Sequence, residues 1–230
     1  MKSASPLYLL LSVLLLAGMP ASTGRVEAAT VALTNGSFEA GTTGRPLGIV
    51  SGAKFNDLMV SGATWDIYSA VKGWKTVSGA GVEVQSDRNP ATLDAQNGDY
   101  YISLDGQSNA SIQQKVGLSK GSYILSFWYS PQTTLGPTNT IGYNLGNVVS
   151  GRVTSGTNGA RVGVWTEVRN RFTVLTRGNY DLTFAALGAS DGIGGFIDNV
   201  SIEAVPVPAA GLGLLSGLIG LVGLKRRRRA

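Results

Sequence analysis

The chain has 230 residues, of which 19 are basic and 14 acidic, and it contains neither cysteine nor histidine. Their absence excludes disulfides, histidine-ligated zinc, and catalysis by Ser-His-Asp or Cys-His groups. The formal charge of +5 comes from the ends of the chain, because residues 29–204 carry 12 basic and 13 acidic side chains, and this balance predicts no nucleic-acid partner.

The N-terminal residues 1–28 have the pattern of a secretory signal peptide. Lys2 provides the positive start, Leu7–Gly18 is the apolar stretch, and small residues at the −3 and −1 positions place cleavage after Ala28. Charged residues close to this site leave an uncleaved N-terminal anchor as the alternative. Both interpretations predict export of the residues that follow.

Residues 29–204 are predicted to form one all-β domain. Short apolar alternations are separated by turn-forming residues, without a convincing amphipathic helix between them, and this pattern favours a β-sandwich. The glycine-rich stretches Gly44–Ala63 and Pro131–Gly163 are predicted to be loops at the ends of the sandwich, where binding residues tend to sit. The predicted strands are Val82–Gln85, Tyr100–Asp105, Ser111–Val116, Ser122–Ser130, Trp165–Val174, Tyr180–Ala186 and Phe196–Ile202.

Two tryptophans are the predicted ligand-binding residues of this domain. In the strand Ser122–Ser130, Tyr123 and every second residue after it form an apolar set, which places the intervening Trp128 on the outer face or at an edge. An exposed indole ring can stack on the apolar face of a sugar while nearby polar groups bind its hydroxyls. Trp65 and Trp128 are assigned this role, and the alternative is that they pack in the core.

The C-terminal residues 205–230 form a three-part segment that runs from a proline-containing motif through 16 uncharged apolar residues to a basic block. As a helix the apolar part, Ala209–Leu224, would be roughly 24 Å long and could cross a membrane if its flanking residues cover the remainder. Adjacent cations resist transfer, so the basic block is predicted to stay cytoplasmic and the domain to lie outside. The motif is Val205, Pro206, Val207, Pro208 and Ala209, and the block is Lys225, Arg226, Arg227, Arg228 and Arg229.

This tail resembles the PEP-CTERM group of bacterial sorting signals, and within that group its Val-Pro-Leu-Pro-Ala variant, with Val207 in the place of the leucine. The resemblance implies recognition by an exosortase, a membrane protease that cuts near the proline motif. It also implies a Gram-negative bacterium that makes exopolysaccharide. A permanent C-terminal membrane anchor is the alternative.

The domain is similar in the order of its motifs to bacterial choice-of-anchor domains, to a plant cell-wall family with galactose-binding-like domains, and to family 4 and family 22 carbohydrate-binding modules. The resemblance covers most of residues 33–203 and implies a jelly-roll β-sandwich of the galactose-binding-like type. The motifs that carry it are Asn35–Glu39, Gly73–Val77, Gly98–Gly106, Ser111–Gln114, Gly121–Phe127 and Phe196–Ile202.

By the same resemblance, Glu39 and Asp198 on the first and last strands are candidate ligands of a structural Ca²⁺, a cation that prefers hard oxygen donors. The alternative is that Asp198 accepts hydrogen bonds from backbone amides and Glu39 is solvated. No spacing favours a catalytic carboxylate pair among the remaining aspartates considered, which are Asp57, Asp66, Asp99 and Asp105.

These features together predict an exported, non-enzymatic protein of the cell surface or extracellular matrix that associates with exopolysaccharide. The alternatives are a structural surface protein with protein partners and, from a different class, a glycan hydrolase.

Overall fold

The computed structural model describes residues 30–31, 33–40, 64–87, 89 and 92–206. The predicted signal peptide, the stretch Gly44–Ala63 and the tail from Val207 onward, including its apolar stretch and basic block, lie outside the described residues. Within the part of the chain that the structure describes, no helix has the length and apolar character needed to cross a membrane.

The described residues form two antiparallel β-sheets packed face to face. Sheet A has the strand order β11-β8-β13-β6-β5-β2, with β1 also paired to β13, and sheet B has the order β10-β9-β12-β7-β4-β3. The strands are β1 (Thr30–Val31), β2 (Trp65–Tyr68), β3 (Ala70–Val71), β4 (Trp74–Ser78), β5 (Val82–Ser86), β6 (Tyr100–Ser103), β7 (Ser111–Leu118), β8 (Gly121–Pro131), β9 (Ile141–Leu145), β10 (Val149–Val153), β11 (Thr166–Val174), β12 (Gly178–Ala186) and β13 (Gly195–Ala204).

The path of the chain is that of a jelly roll. From β4 onward the connections cross between the sheets, except at the hairpins β5–β6 and β9–β10. The predicted all-β sandwich is therefore confirmed, and each strand predicted from the sequence is present with similar bounds. Crossing connections place the first and last strands side by side, with Thr30 opposite Glu203.

The core lies between the two sheets and is rich in aromatic side chains. Tyr123 and the alternate residues after it on β8 are buried, as the alternation predicts. The ring of Trp74 packs against Phe184 at a centroid distance of 5.9 Å, and Phe127 packs edge-on against Phe184 at 5.0 Å. Trp74 also donates its indole N–H to the backbone carbonyl of Asn35 at 3.0 Å, so this tryptophan holds the N-terminal segment against sheet B.

The prediction that Pro131–Gly163 is a loop is wrong, because this stretch contains the hairpin β9–β10 and a 3₁₀ turn, Thr157–Gly159. Glycine residues in these two strands interrupt the alternation of apolar and polar side chains from which a strand is predicted. A Cβ at Gly151 would overlap the hydroxyl of Tyr143, and a Cβ at Gly142 would overlap the side chain of Leu187. The positions are glycine because neighbouring side chains occupy the space.

Candidate functional site

The outer face of sheet A, turned away from the core, carries both predicted ligand-binding tryptophans. Trp128 on β8 lies opposite Glu167 on β11 and opposite Asp198 on β13. Trp65 on the edge strand β2 lies opposite Gln85 on β5. Residues directly opposite each other on paired strands point to the same face of a sheet. Both tryptophans are partly exposed, which leaves their rings accessible in part.

The centre of this face is covered by the segment Thr92–Asp99, called here the 92–99 segment. Tyr101 beneath it is fully buried, with edge-on ring contacts to Trp165 at 5.6 Å and to Phe196 at 5.1 Å. The hydroxyl of Tyr101 donates to Thr92, and the indole N–H of Trp165 donates to a backbone carbonyl of the segment at 2.8 Å. The covered centre separates the two partly exposed tryptophans, which lie about 19 Å apart at the usual strand spacing.

The predicted calcium ligands Glu39 and Asp198 contact the 92–99 segment and the strand that follows it. The prediction that Glu39 lies on the first strand is wrong, because that strand is Thr30–Val31 and Glu39 lies in irregular chain. Asp198 Oδ2 accepts the backbone N–H groups of Gln96 and Asn97, each at 2.9 Å. Asp198 Oδ1 accepts the N–H of the next residue at 2.6 Å, and Glu39 Oε1 accepts that of Tyr100 at 2.8 Å. The structure thus brings the two carboxylates to one corner, where they accept amide hydrogen bonds.

Burial governs the ionisation of this corner. Burial raises the pKa of Asp198 to about 7, against the lowering effect of its amide hydrogen bonds, and the charge of Glu39 adds to the rise. Burial also raises the pKa of Glu39, with the neighbouring Asp99 and Asp87 contributing. No group of three or more metal-ligating side chains is found among the described residues. Calcium at Glu39 and Asp198 stays a prediction.

A groove of about 400 Å³ with a mixed polar and apolar lining lies on the outer side of sheet B, and the sequence analysis does not predict it. Lys115 Nζ contacts Asp181 Oδ1 at 2.8 Å within the groove, and Gln113 donates to Thr183 at 3.1 Å. Charged and amide residues on an exposed strand are ordinarily solvent-facing, so only the three-dimensional arrangement reveals the concavity. The groove is lined by Ala70, Gly73, Trp74, Lys75, Gln113, Gln114, Lys115 and Asp181.

Comparison with known proteins places the fold. The sequence matches no protein-family model, and it matches no curated protein. Its structure is similar to a cyclase from Fischerella sp. TAU, with a TM-score of 0.54 and 13% identity, covering 79% of this chain and 99% of that one. It is also similar to the Stig cyclase Fisc from Fischerella sp. TAU, solved with (3Z)-3-(1-methyl-2-pyrrolidinylidene)-3H-indole, with a TM-score of 0.51 and 15% identity, covering 79% and 100%.

A third similar structure is TmCBM61 in complex with beta-1,4-galactotriose, with a TM-score of 0.48 and 19% identity, covering 77% of this chain and 100% of that one. At such identities the two cyclase structures establish the β-sandwich fold alone, because one fold hosts many unrelated sites.

Proposed function

We propose that this chain is an exported, non-enzymatic protein of the bacterial cell surface or extracellular matrix whose β-sandwich binds exopolysaccharide. The observation that carries the proposal is the partly exposed ring of Trp128, which stands on the outer face of sheet A between Glu167 and the carboxylate that holds the 92–99 segment. An aromatic face bordered by polar groups suits a sugar ring.

Each partner group has a role in this binding. The indole of Trp128 stacks on the C–H face of one sugar. Glu167, whose side chain is 32% exposed and paired with Arg169 at 2.8 Å, and the exposed Asn97 bind hydroxyls beside it. Trp65 offers a second stacking position across the covered centre. A polysaccharide that spans this distance contacts both rings, so binding strengthens with chain length.

The export part of the proposal rests on the sequence of the two ends. β13 ends at Ala204, and the amide of Val205 donates to the carbonyl of Ser122 at 2.8 Å, so the sheet leads directly into the proline motif. We propose that an exosortase recognises this motif together with the apolar stretch and basic block. The domain is then released from, or transferred beyond, the inner membrane.

Binding is tested with the full chain in mild detergent, by co-sedimentation with exopolysaccharide from Gram-negative biofilms. Trp128→Ala is expected to weaken binding about tenfold, the size of a lost stacking contact. Trp65→Ala should weaken it less, and mainly for long chains. Leu175→Ala, a change at a side chain that is 76% exposed elsewhere, is the matched control. Unchanged binding by both tryptophan variants would contradict the proposal and favour protein partners.

Processing is tested by intact-mass analysis of the protein recovered from its native host. A mass that lacks the apolar stretch and basic block is expected. A mass that includes residues 211–230 would replace the sorting proposal with a permanent membrane anchor.

A further inference from the structure

A second carboxylate pair, which the function above does not use, is buried on the outer face of sheet A. Glu83 on β5 lies opposite Ser103 on β6, and Asp105 follows two residues later. Glu83 is 6% exposed and Asp105 is fully buried. Within the described residues, the ion pairs join Lys115 to Asp181 and Arg169 to Glu167, so this pair has no basic partner there.

Two glycines allow the surrounding loops to close over these carboxylates. A Cβ at Gly106 would overlap Glu83 Oε2. A Cβ at Gly194 would lie 2.9 Å from Ser103 Oγ and 3.1 Å from Asp105 Cβ. A side chain at Gly106 would displace the loop or Glu83, and one at Gly194 would crowd Ser103 and Asp105, so the loops and the carboxylates are closely packed.

The oxygen atoms of this unit are only partly used. Asp105 Oδ2 accepts the N–H of Asp191 at 3.1 Å, whereas its Oδ1 is buried without a hydrogen-bond partner. In the same loop, Asn109 donates to the carbonyl of Gly188 at 2.8 Å, whereas its Oδ1 is also buried and unpartnered. A buried acceptor that lacks a donor costs about 1–3 kcal/mol, so each of these two oxygens would be stabilised by a bound cation or donor.

The charge of the two carboxylates also favours a bound cation. Burial raises the pKa of Glu83 to about 7, with the nearby charge of Asp105 contributing, and burial raises the pKa of Asp105 as well. Two carboxylates that repel each other in a site shielded from water are stabilised by a cation that neutralises both.

We infer that Ca²⁺ binds between Glu83 and Asp105, with the amide oxygen of Asn109 as a neutral ligand. All the available donors are hard oxygens, and Ca²⁺ accepts carboxylates, amide carbonyls and backbone carbonyls together. The site has only two carboxylates, and no group of three or more metal-ligating side chains is found among the described residues. This site is separate from Glu39 and Asp198, whose oxygens accept backbone amides.

The cation would join two loops that already touch. The loop 104–110 is closed by the amide of Ala110 donating to Leu104 at 2.7 Å. It contacts the loop 187–194 through Asn109, whose N–H donates to Ser190 Oγ at 3.0 Å, and through Asp105 and Asp191. Ca²⁺ at Asp105 therefore stabilises the end of the sandwich where these loops meet.

The test is thermal unfolding of the full chain in detergent at neutral pH, after EDTA treatment, with and without about 2 mM CaCl₂, a concentration above the Kd range of extracellular calcium modules. Ca²⁺ is expected to raise the Tm of the wild type by about 5 °C. Glu83→Gln and Asp105→Asn should abolish this rise, whereas Asp198→Asn and the control Asp94→Asn, a change at an exposed carboxylate, should retain it. Calorimetric titration of wild type with CaCl₂ should find a site that Glu83→Gln lacks.

Three outcomes would overturn the inference. The wild type could show neither a Tm rise nor heat of Ca²⁺ binding. Glu83→Gln could retain the full response. Asp198→Asn could lose the response while Glu83→Gln keeps it, which would place the cation at the corner of Glu39 and Asp198 instead. If Glu83→Gln does not fold, Asp105→Asn and the wild-type titration decide.

Discussion

In each of two irregular segments of this sandwich, a buried side chain accepts or donates several backbone hydrogen bonds, and the two side chains differ in chemistry. Asp198 holds the 92–99 segment by accepting backbone N–H groups only. Asn139 holds residues 132–138, called here the 132–138 segment. Its Oδ1 accepts the N–H of Gln132 at 2.8 Å, and its Nδ2 donates to the carbonyl of Leu135 at 2.6 Å.

The difference teaches that the backbone of a segment selects its anchor. A segment that directs only N–H groups at its anchor, as the 92–99 segment does toward Asp198, can be held by a carboxylate, which accepts and does not donate when it is ionised. A segment that presents N–H and C=O groups together requires a carboxamide, which does both. The carboxylate anchor can titrate, whereas the carboxamide anchor cannot.

The largest expected effect is at the carboxamide. Asn139→Ala removes every hydrogen bond of a fully buried side chain, including three bonds with Thr133, and leaves the backbone groups of its segment unpaired. The free energy of unfolding should fall by about 3 kcal/mol. Urea unfolding measures it. Asn139→Asp, which keeps the shape and loses the donors, should lose a similar amount, and a loss below about 1 kcal/mol in both would show that the anchor is dispensable.

The carboxylate anchor should tolerate change better. Asp198→Asn keeps one acceptor oxygen but turns an N–H group toward amides that themselves donate, so we expect a loss of about 2 kcal/mol in the free energy of unfolding. Asn139→Asp is the reverse exchange, a carboxylate in place of a carboxamide, and serves as the matched comparison. Equal losses from the two exchanges would contradict the rule that the backbone selects the anchor.

The pH dependence should separate the anchors further. The pKa of Asp198 in the folded state, about 7, lies above the value for an exposed aspartate. At pH values between these two, the folded state therefore binds more protons than the unfolded state. This contribution to stability is fully present below about pH 4 and is lost as the pH rises through about 7. Urea unfolding at a series of pH values should show a shallower fall for Asp198→Asn than for wild type. Asn139→Ala should keep the wild-type slope, and a slope unchanged in Asp198→Asn would refute the assignment.

The smallest effects concern the tyrosine that supports each segment. Tyr129 donates to the backbone carbonyl of Asn139 at 2.9 Å in a buried position, whereas Tyr101 donates to a partly exposed hydroxyl of Thr92. Tyr129→Phe should cost about 1 kcal/mol and Tyr101→Phe less, because water can replace the lost donor of Thr92. The reverse order in urea unfolding would show that the 92–99 segment is the more rigid of the two.

The sequence was sufficient for the strands whose alternation is uninterrupted. Ser122–Ser130 and Tyr180–Ala186 were predicted within two residues of their observed ends, because apolar side chains recur at every second position. It was insufficient for β9–β10, where glycine stands at strand positions to make room for neighbouring side chains. It was also insufficient for the short strands β2 to β4, which offer too few alternations to count.

For the candidate site, the sequence predicted the face of Trp128 and that Glu39 and Asp198 lie close together. It did not predict that both accept amide hydrogen bonds from residues 96–100. It did not predict that Ser130, on the same outer face as Trp128, is fully buried. Nor did it single out Glu83. The burial of Ser130 and of Glu83 depends on segments that are distant in sequence and lie over the sheet. The periodicity of a strand does not show which segments lie over it.

The position of β13 has a mechanical consequence. This strand lies inside sheet A, is paired with β8 on one side and with β6 and β1 on the other, and continues directly into Val205 and Pro206. The hydrogen bonds of antiparallel strands run perpendicular to the strand axis. Tension applied to the chain beyond Pro206 therefore acts along β13 and loads its ladders with β8, β6 and β1 in shear, whereas tension along the edge strand β10 would load only its ladder with β9. When the domain is pulled from its C-terminal end, several strand ladders therefore resist the force at the same time.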